Sequence, residues 1–248
     1  MPVCTVFQWN VQTSEELDNI CGYLAKNTVD VICLQELMVG DPRQDYRNGP
    51  EFLAGELGYR CKFVALPNIS PSGSPVVLAN AILTRGEIQR SKSVLLSQPD
   101  ARIGFEYQSR GYIEVDVVIR GTEFTVATTH LGYSEGFQMS DRRRAEVEHL
   151  VGEIGYTRER FVLTGDFNAE PRSYVISEVS RRLKSAGPEH TLPTWTTKPF
   201  SYRGFQASEL KWRLDYIFTS KDVEVVHSQI LRSPFSDHLP IHCQLSIE

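Results

Sequence analysis

The feature that most constrains the fold is a set of short apolar, β-rich runs, each of which meets a polar residue at one end. The first run covers residues 3–10 and ends in Asn10, and the second covers residues 29–36 and ends in Glu36. Runs this short and apolar are typical of strands buried on both faces. The pattern returns at four further places, with these polar residues: His130, Asp166 with Asn168, Asp215, and Asp237 with His238.

Helical patterns alternate with these strands. They cover about residues 14–26, 52–57, 137–154 and 173–183. A hairpin is predicted over residues 111–130, and a loop over residues 67–75, where Pro, Ser and Gly concentrate. Strands outnumber helices, and their connections are both hairpin-like and crossover-like. We therefore predict an α/β sandwich of mixed sheets covered by helices, in one domain over residues 1–248.

Composition excludes several classes of protein. Hydrophobic residues make up 41% and charged residues 23% of the 248 residues, which is an ordinary globular balance and excludes a wholly disordered chain. The net charge of −5 excludes the global basic field of a histone-like nucleic-acid binder, although local recognition of nucleic acid is compatible with it. No stretch approaches the ~18 apolar residues that a membrane-spanning helix needs.

Cysteine usage and the first residues predict the cellular environment. The five cysteines are odd in number and scattered, and no C-x-x-C pair supports a structural zinc site. The start MPVCTVFQWN lacks the charged leader and long apolar region of a signal peptide. We expect a cytoplasmic or nuclear, monomeric protein that does not insert into membranes.

The polar residues at the strand ends predict a common site. In α/β folds, strand ends collect side chains that are distant in sequence. Together they supply three Asp, one Glu, two Asn and two His. Hard oxygen ligands of this kind suit Mg²⁺ or Mn²⁺, and the histidines add acid–base capacity. Taken singly, Asn10, the turn at residues 165–168, or Asp237 with His238 would fit an ordinary turn or cap. Their joint occurrence at strand ends favours the site.

Six segments in this order resemble the endonuclease/exonuclease/phosphatase superfamily, which includes DNase I, AP endonucleases and neutral sphingomyelinases. They are Trp9–Asn10 (WN), Cys33–Glu36 (CLQE), Thr129–Leu131 (THL), Gly165–Asn168 (GDFN), Trp212–Phe218 (WRLDYIF) and Ser236–Ile241 (SDHLPI). Each segment is weak alone, but the ordered set spans almost the whole chain. The resemblance implies a four-layer α/β sandwich, with two mixed sheets between helices and a divalent-metal site at one sheet edge.

The resemblance also implies a role for each metal-site residue. Glu36 would be the principal metal ligand, and Asn10 and Asp237 would support the metal shell. A metal at this place would neutralise the charge of a phosphate ester and polarise its P–O bond.

The remaining matched residues would act on the reacting groups. Asp166 would orient the attacking water, and Asn168 would bind the phosphate or that water. His238, held by Asp215, would act as a general base or an electrostatic stabiliser. His130 would donate a hydrogen bond or a proton on the other side of the phosphate.

Two further residues are predicted to bind substrate. Arg110 precedes Gly111 at a position where this superfamily often has Arg-Gly, so it makes a bidentate phosphate contact or has a structural role. Trp212 lies in WRLDY, which resembles the AP-endonuclease branch, and is a stacking or wedge residue or a core tryptophan. His130 departs from that branch, which has tyrosine there, and resembles DNase I, the sphingomyelinases and the tyrosyl-DNA phosphodiesterases.

The segment Thr194–Lys211 interleaves aromatic residues with cations, a pattern that suits stacking on bases. The same composition also suits an ordered loop with a small hydrophobic cluster. A substrate-binding loop should lie at the metal edge of the sheets.

These observations predict a Mg²⁺-dependent phosphodiesterase, with Mn²⁺ as a substitute, that acts on nucleic acid as a nuclease or DNA-end-processing repair enzyme. A phosphatase for a small phosphorylated metabolite or inositol phosphate is the alternative, and it predicts a narrow pocket lined by Lys and Arg. A catalytically inactive interaction module is the third hypothesis. The intact set of polar residues argues against it.

Overall fold

Two six-stranded mixed sheets packed face to face form the centre of the molecule. The computed structural model describes residues 3–70 and 73–247. The strands are β1 (Val3–Asn10), β2 (Val31–Met38), β3 (Arg60–Ile69), β4 (Pro75–Thr84), β5 (Glu87–Ser97), β6 (Arg110–Ile119), β7 (Thr122–His130), β8 (Phe161–Asp166), β9 (Lys184–Ser185), β10 (Phe200–Tyr202), β11 (Phe205–Ala207), β12 (Asp215–Thr219), β13 (Glu224–Ile230) and β14 (Ile241–Ser246). The α-helices are α1 (Leu17–Lys26), α2 (Gly49–Leu57), α3 (Asp141–Ile154) and α4 (Tyr174–Ser180).

The strand order places parallel pairs in the interior of both sheets. The first sheet has the order β13-β14-β1-β2-β4-β3, and the second has the order β5-β6-β7-β8-β12-β9. The pairs β1–β2 and β7–β8 are parallel, whereas the other neighbouring strands are antiparallel. The strands β10 and β11 form a separate hairpin.

Alternating side chains divide the core into layers. On β2, Val31 and Cys33 face the second sheet, whereas Ile32 and Leu34 face α1 and α2. On the second sheet, Leu163 of β8 packs in the cluster that includes α3 and α4. Full burial of each such aliphatic side chain contributes about 1.5–3 kcal/mol. The resulting order of helices, sheet, sheet and helices confirms the predicted four-layer α/β sandwich.

The helix boundaries follow local capping chemistry. Helix α3 begins at Asp141 because the Ser140 hydroxyl oxygen accepts a hydrogen bond from the backbone N–H of Arg143. It ends at Gly155, whose φ of +69° is readily adopted by glycine. The predicted start at residue 137 was therefore too early, and residues 135–137 form a short 3₁₀ turn.

The predicted loop over residues 67–75 is longer than the connection in the structure, because residues 67–69 belong to β3 and Pro75 begins β4. Strands β3 and β4 stay paired as far as Ile69 and Pro75, so the connection between them is short. Proline is tolerated at position 67 because β3 is an edge strand, where a missing N–H interrupts no inner ladder. None of the helices in residues 3–70 and 73–247 is long and apolar enough to cross a membrane.

Candidate active site

The two parallel strand pairs bring the predicted polar residues to one edge of the sandwich. On the first sheet, Asn10 at the end of β1 is in register with Gln35, next to Glu36. On the second sheet, Asp166 is in register with both His130 and Asp215. Carboxyl ends of parallel strands coincide, so the face-to-face packing of the sheets joins the two sets.

The centre of the site is a carboxylate pair bridged by an amide. The Nδ2 atom of Asn10 donates hydrogen bonds of 2.9 Å to Glu36 Oε1 and to Asp166 Oδ2. The backbone N–H of Thr13 donates to Glu36 Oε2 at 3.2 Å. A bulge interrupts the β2–β4 ladder at this point, and Glu36 has a left-handed φ of +62°. Strain of this kind persists where the surrounding structure fixes it, as at functional sites.

Asp166 lies in a buried environment that disfavours the charged form of its carboxyl. Its side chain is fully buried, and this burial, together with the nearby Asp215, raises the pKa of its carboxyl to about 7. The His238 imidazolium and the hydrogen bond from Asn10 oppose the shift. Burial thus disfavours the charged form of Asp166, and a bound cation would favour it.

His238 is held by Asp215 on one side and faces Asp166 on the other. Its Nδ1 lies 2.8 Å from Asp215 Oδ2, and its Nε2 lies 3.6 Å from Asp166 Oδ2. Burial alone would lower the pKa of His238, but the two carboxylates together raise it well above its ordinary value. The imidazole is therefore fixed in orientation and favours its charged form.

His130 has the opposite environment. Arg110 Nη1 lies 3.2 Å from each ring nitrogen, and Asn168 Nδ2 lies 3.1 Å from Nε2. Guanidinium and amide NH₂ groups only donate, so they require an unprotonated ring nitrogen. Burial, and then the charge of Arg110, lower the pKa of His130 well below its usual range. A neutral imidazole thus faces Asp166, with 3.5 Å between Nε2 and Oδ2.

The two residues predicted to bind substrate have different positions relative to the cavity described below. Arg110 lines the cavity described below, but its guanidinium is directed at His130 and at the carbonyl oxygen of Phe105. Trp212 is not among the described residues lining that cavity, and its ring packs 5.0 Å from that of Phe137. Trp195 pairs with Trp212 in an antiparallel β-bridge, and it is Trp195 that lines the cavity.

Asp237 is tied to this tryptophan. The indole Nε1 of Trp195 donates a 2.8 Å hydrogen bond to Asp237 Oδ2.

The prediction of Trp212 as a substrate-binding residue came from its place in a motif, which says nothing about the direction of a side chain. The sequence feature that could have pointed to Trp195 was the high aromatic content of residues 194–211, the segment in which it lies.

A cavity of about 390 Å³ opens in front of these side chains. Its polar lining includes most of the predicted residues, namely Glu36, Arg110, His130, Asp166, Asn168, Asp237 and His238. Its apolar lining consists of Met38, Val76, Leu78, Phe105, Tyr133, Phe137, Trp195 and Phe200. Asn10 and Asp215 are buried directly behind the lining carboxylate and imidazole.

A buried polar network beneath the site was not predicted from the sequence. Gln8 and Gln35 exchange side-chain hydrogen bonds of 2.7 and 2.9 Å across β1 and β2. Gln8 Nε2 also donates to Asp215 Oδ1 at 3.2 Å, and Gln35 Nε2 donates to Thr128 Oγ1 at 2.8 Å. The network joins the two sheets and holds the second oxygen of Asp215. Its signal in the sequence is a glutamine inside each apolar run.

Comparison with known proteins gives the family. Residues 7–238 match the model of the Endonuclease/Exonuclease/phosphatase family. The chain belongs to this family. Members of the endonuclease/exonuclease/phosphatase family hydrolyse phosphoester bonds and are generally dependent on divalent metal ions. No curated protein matches the chain significantly.

Solved structures of the family share the fold. A protein titled endonuclease/exonuclease/phosphatase from Beutenbergia cavernae is 20% identical, with a TM-score of 0.80 over 100% of this chain and 72% of that one. The human Nocturnin catalytic domain with bound sulfate is 23% identical, with a TM-score of 0.70 over 100% of this chain and 94% of the other. The TDP2 of D. rerio, complexed with a single-strand DNA product, is 19% identical, with a TM-score of 0.70 over 99% and 100%.

The donor set at the site fits a hard divalent cation. Carboxylates of Glu36, Asp166 and Asp237 and the amide of Asn10 surround or adjoin the cavity, and oxygen donors of this kind are those that Mg²⁺ and Mn²⁺ prefer. Asp166, Asp215 and His238 also form a close buried group, but the pairing of His238 with Asp215 engages the imidazole, so we place the ion on the oxygen donors.

Proposed function

We propose that the protein is a Mg²⁺-dependent phosphodiesterase that hydrolyses nucleic acid, with Mn²⁺ as a substitute for Mg²⁺. The observation that carries the proposal is the meeting of Glu36, Asp166, the His238–Asp215 pair and the His130–Asn168 pair at one cavity. An ordinary set of turn residues would have no reason to converge from five strand ends. We also propose that residues 1–248 act as one catalytic domain, since both sheets contribute to the site.

Glu36 would be the principal ligand of the cation, with Asn10 and Asp237 in support. Bound Mg²⁺ would neutralise phosphate charge and polarise the P–O bond. Asn10 now donates to Glu36 and Asp166, and this hydrogen bonding keeps the two carboxylates side by side. Trp195 occupies Oδ2 of Asp237, which leaves the other oxygen of that carboxylate for an ion.

Asp166 would orient the attacking water, because its Oδ2 is the atom on which Asn10, His130 and His238 converge. His238 would stabilise the developing charge, since Asp215 and Asp166 keep it protonated. These groups are positioned before substrate binds, which removes the entropic cost of assembling them at each turnover.

Asn168 and His130 would contact the phosphate on the other side. The neutral His130 can hydrogen-bond to the phosphate but is a poor proton donor, so of its two predicted roles we favour hydrogen bonding. Arg110 would act through His130, whose neutral form it favours, while remaining within reach of the cavity.

The cavity lining bears on the choice of substrate. A phosphatase for an inositol phosphate would need several Lys and Arg residues to bind its phosphates. Among the described residues that line the cavity, the basic side chains are Arg43, Arg110 and the two histidines, and there is no lysine. Arg43 is already paired with Asp41 at 2.6 Å. The lining therefore favours a substrate with one phosphate at the reacting position.

The test is hydrolysis by purified protein in the presence of Mg²⁺ or EDTA. Single-stranded DNA, duplex DNA, abasic duplex, 5′-tyrosyl DNA, RNA and inositol phosphates are the substrates, and the double variant D166N/H238A is the blank. We expect cleavage of a nucleic acid that EDTA and the double variant both abolish. Turnover of small phosphates alone would contradict the proposal, and so would metal-independent cleavage.

A further inference from the structure

One side of the cavity is an aromatic wall, formed by Phe105, Tyr133, Phe137, Trp195 and Phe200. Phe105 and Phe200 are half-buried, so they present ring surface to the cavity. The other three residues are at most 8% exposed and support these two from behind. The Phe200 ring centroid lies 5.2 Å from Trp195 and 5.9 Å from Tyr133, within the usual range for aromatic pairs.

The wall is held in place by polar contacts at both ends of the segment that carries Phe200. At one end, Lys198 Nζ lies 3.3 Å from Glu15 Oε2. At the other end, the Tyr202 hydroxyl donates to Glu106 Oε2 at 2.8 Å and accepts from the backbone N–H of Phe105 at 3.2 Å. The rings are therefore positioned before a ligand binds, which lowers the entropic cost of stacking.

The wall adjoins the reacting groups directly. Trp195 donates its indole N–H to Asp237, and its ring lies 6.2 Å from that of His238. A group that lies against the wall is therefore next to the phosphate position. One residue of the wall is thus hydrogen-bonded to a carboxylate of the proposed metal site.

The wall suits a flat, uncharged group. Rings offer their faces to other π-systems, and the aliphatic side chains of Met38, Val76 and Leu78 complete the apolar lining. The two arginines of the lining are engaged by Asp41 and by His130, so they offer little to a second anionic group. A sugar phosphate without a base would leave the wall exposed to water.

We propose that the aromatic wall is a subsite for a nucleobase next to the scissile phosphate. This inference rests on the proposed function and defines its substrate as a phosphodiester that carries a base. Stacking on an aromatic side chain contributes about 5- to 150-fold per base in binding. The rings contact any base through its face, so the subsite tolerates different sequences.

The first experiment measures binding without catalysis. Isothermal titration in the presence of Mg²⁺ compares AMP with ribose 5-phosphate, which has a hydroxyl group in place of the base. We expect AMP to bind at least about fivefold more tightly. F200L and F105L replace a ring with an aliphatic side chain of similar bulk and should remove most of this preference. Equal affinity of the two ligands for the wild-type protein would overturn the proposal.

Tyr156→Ala is the matched control. This tyrosine is 73% exposed, outside the cavity, and it contacts Arg182. Y156A should keep the full preference for AMP, whereas a loss equal to that of F200L would show that the preference does not come from the wall. Circular dichroism of each variant checks that the fold is intact.

The second experiment separates the subsite from the reaction. The Mg²⁺-dependent kcat/KM is measured for the dinucleotide ApA and for analogues in which a tetrahydrofuran residue replaces one nucleoside. Removing the base that lies against the wall should lower kcat/KM by at least about fivefold relative to ApA. F200L should reduce this difference between ApA and the analogue. Hydrolysis that is indifferent to both bases would refute the subsite alone. Absence of any hydrolysis would refute the proposed function, and the titration would still decide the subsite.

Discussion

Replacing Asp215 with Asn tests the charge pairing on which the proposed reaction depends. Asp215 is fully buried, with Oδ2 at 2.8 Å from His238 Nδ1 and Oδ1 accepting from Gln8. Asparagine has the same shape and keeps an oxygen for Gln8. It removes the charge that favours the imidazolium and presents His238 with either a neutral oxygen or an N–H donor. The substitution therefore changes electrostatics with little change in packing.

The magnitude follows from the burial of the pair. Breaking a buried ion pair costs about 3–5 kcal/mol because one charge is left uncompensated. If that loss appears in the transition state, kcat should fall by about 10²- to 10⁴-fold, at ~1.36 kcal/mol per factor of ten. KM should change little, since Asp215 does not line the cavity in the described structure. The pKa of His238 should fall as well, because Asp215 is a principal cause of its increase.

The assay combines NMR titration of the His238 ring protons with steady-state kinetics on whichever nucleic acid the hydrolysis panel shows to be cleaved. Asp30→Asn is the control, because Asp30 is also a buried carboxylate in an ion pair, with Arg120 at 2.7 Å, but it lies outside the described cavity lining. D30N should keep wild-type kcat. A folded D215N protein with kcat within tenfold of wild type would refute the reasoning.

Three further predictions concern the metal site, pH and the backbone. E36Q should weaken Mn²⁺ binding by at least about tenfold, as measured by electron paramagnetic resonance, because it removes a partly exposed carboxylate charge at the proposed metal position. Burial tends to raise the pKa of Asp30, but hydrogen bonds from Arg120 and Thr5 outweigh it and lower the pKa. Its stabilising effect should be present above pH ~4 and lost as the pH falls through the lowered pKa, so the difference in urea unfolding between D30N and wild type should be largest near pH 7 and shrink as the pH falls below ~4. G165A should destabilise the fold by about 3 kcal/mol or more in thermal unfolding, because a Cβ there would lie 2.4 Å from the backbone oxygen of Thr129; an unchanged Tm would contradict this steric argument.

Most of the fold was predictable because the apolar runs match the strands. The first run, residues 3–10, is β1 to the residue, and the hairpin over residues 111–130 is present. Boundaries failed where tertiary pairing overrides local composition. The prolines at 67 and 75 suggested a loop, but pairing of β3 with β4 extends both strands through them. Composition alone cannot reveal that β3 is an edge strand.

The sequence was enough to predict which residues meet at the candidate site, but not how each side chain is oriented there. Strand ends and motif order were enough to bring Asn10, Glu36 and Asp166 together. The contrast between a neutral His130 and a charged His238 depends on Arg110 behind one ring and Asp215 behind the other, which are long-range contacts. The aromatic wall was predictable only in part: the aromatic segment over residues 194–211 pointed to Trp195 and Phe200, whereas Phe105, Tyr133 and Phe137 join it through long-range contacts.

The two glutamines explain how a polar site can adjoin an apolar core. Side chains alternate along β1, so Val6, Gln8 and Asn10 all point toward the second sheet, in an order that runs from the core to the site. If position 8 held an apolar residue instead of glutamine, one oxygen of Asp215 would be buried without a hydrogen bond. This would cost about 1–3 kcal/mol, or more because the group is charged. Gln8 supplies that hydrogen bond, and Gln35 satisfies Gln8 in turn. The polarity of the inner face thus rises gradually toward the edge, and the buried carboxylate that orients His238 becomes compatible with a stable fold.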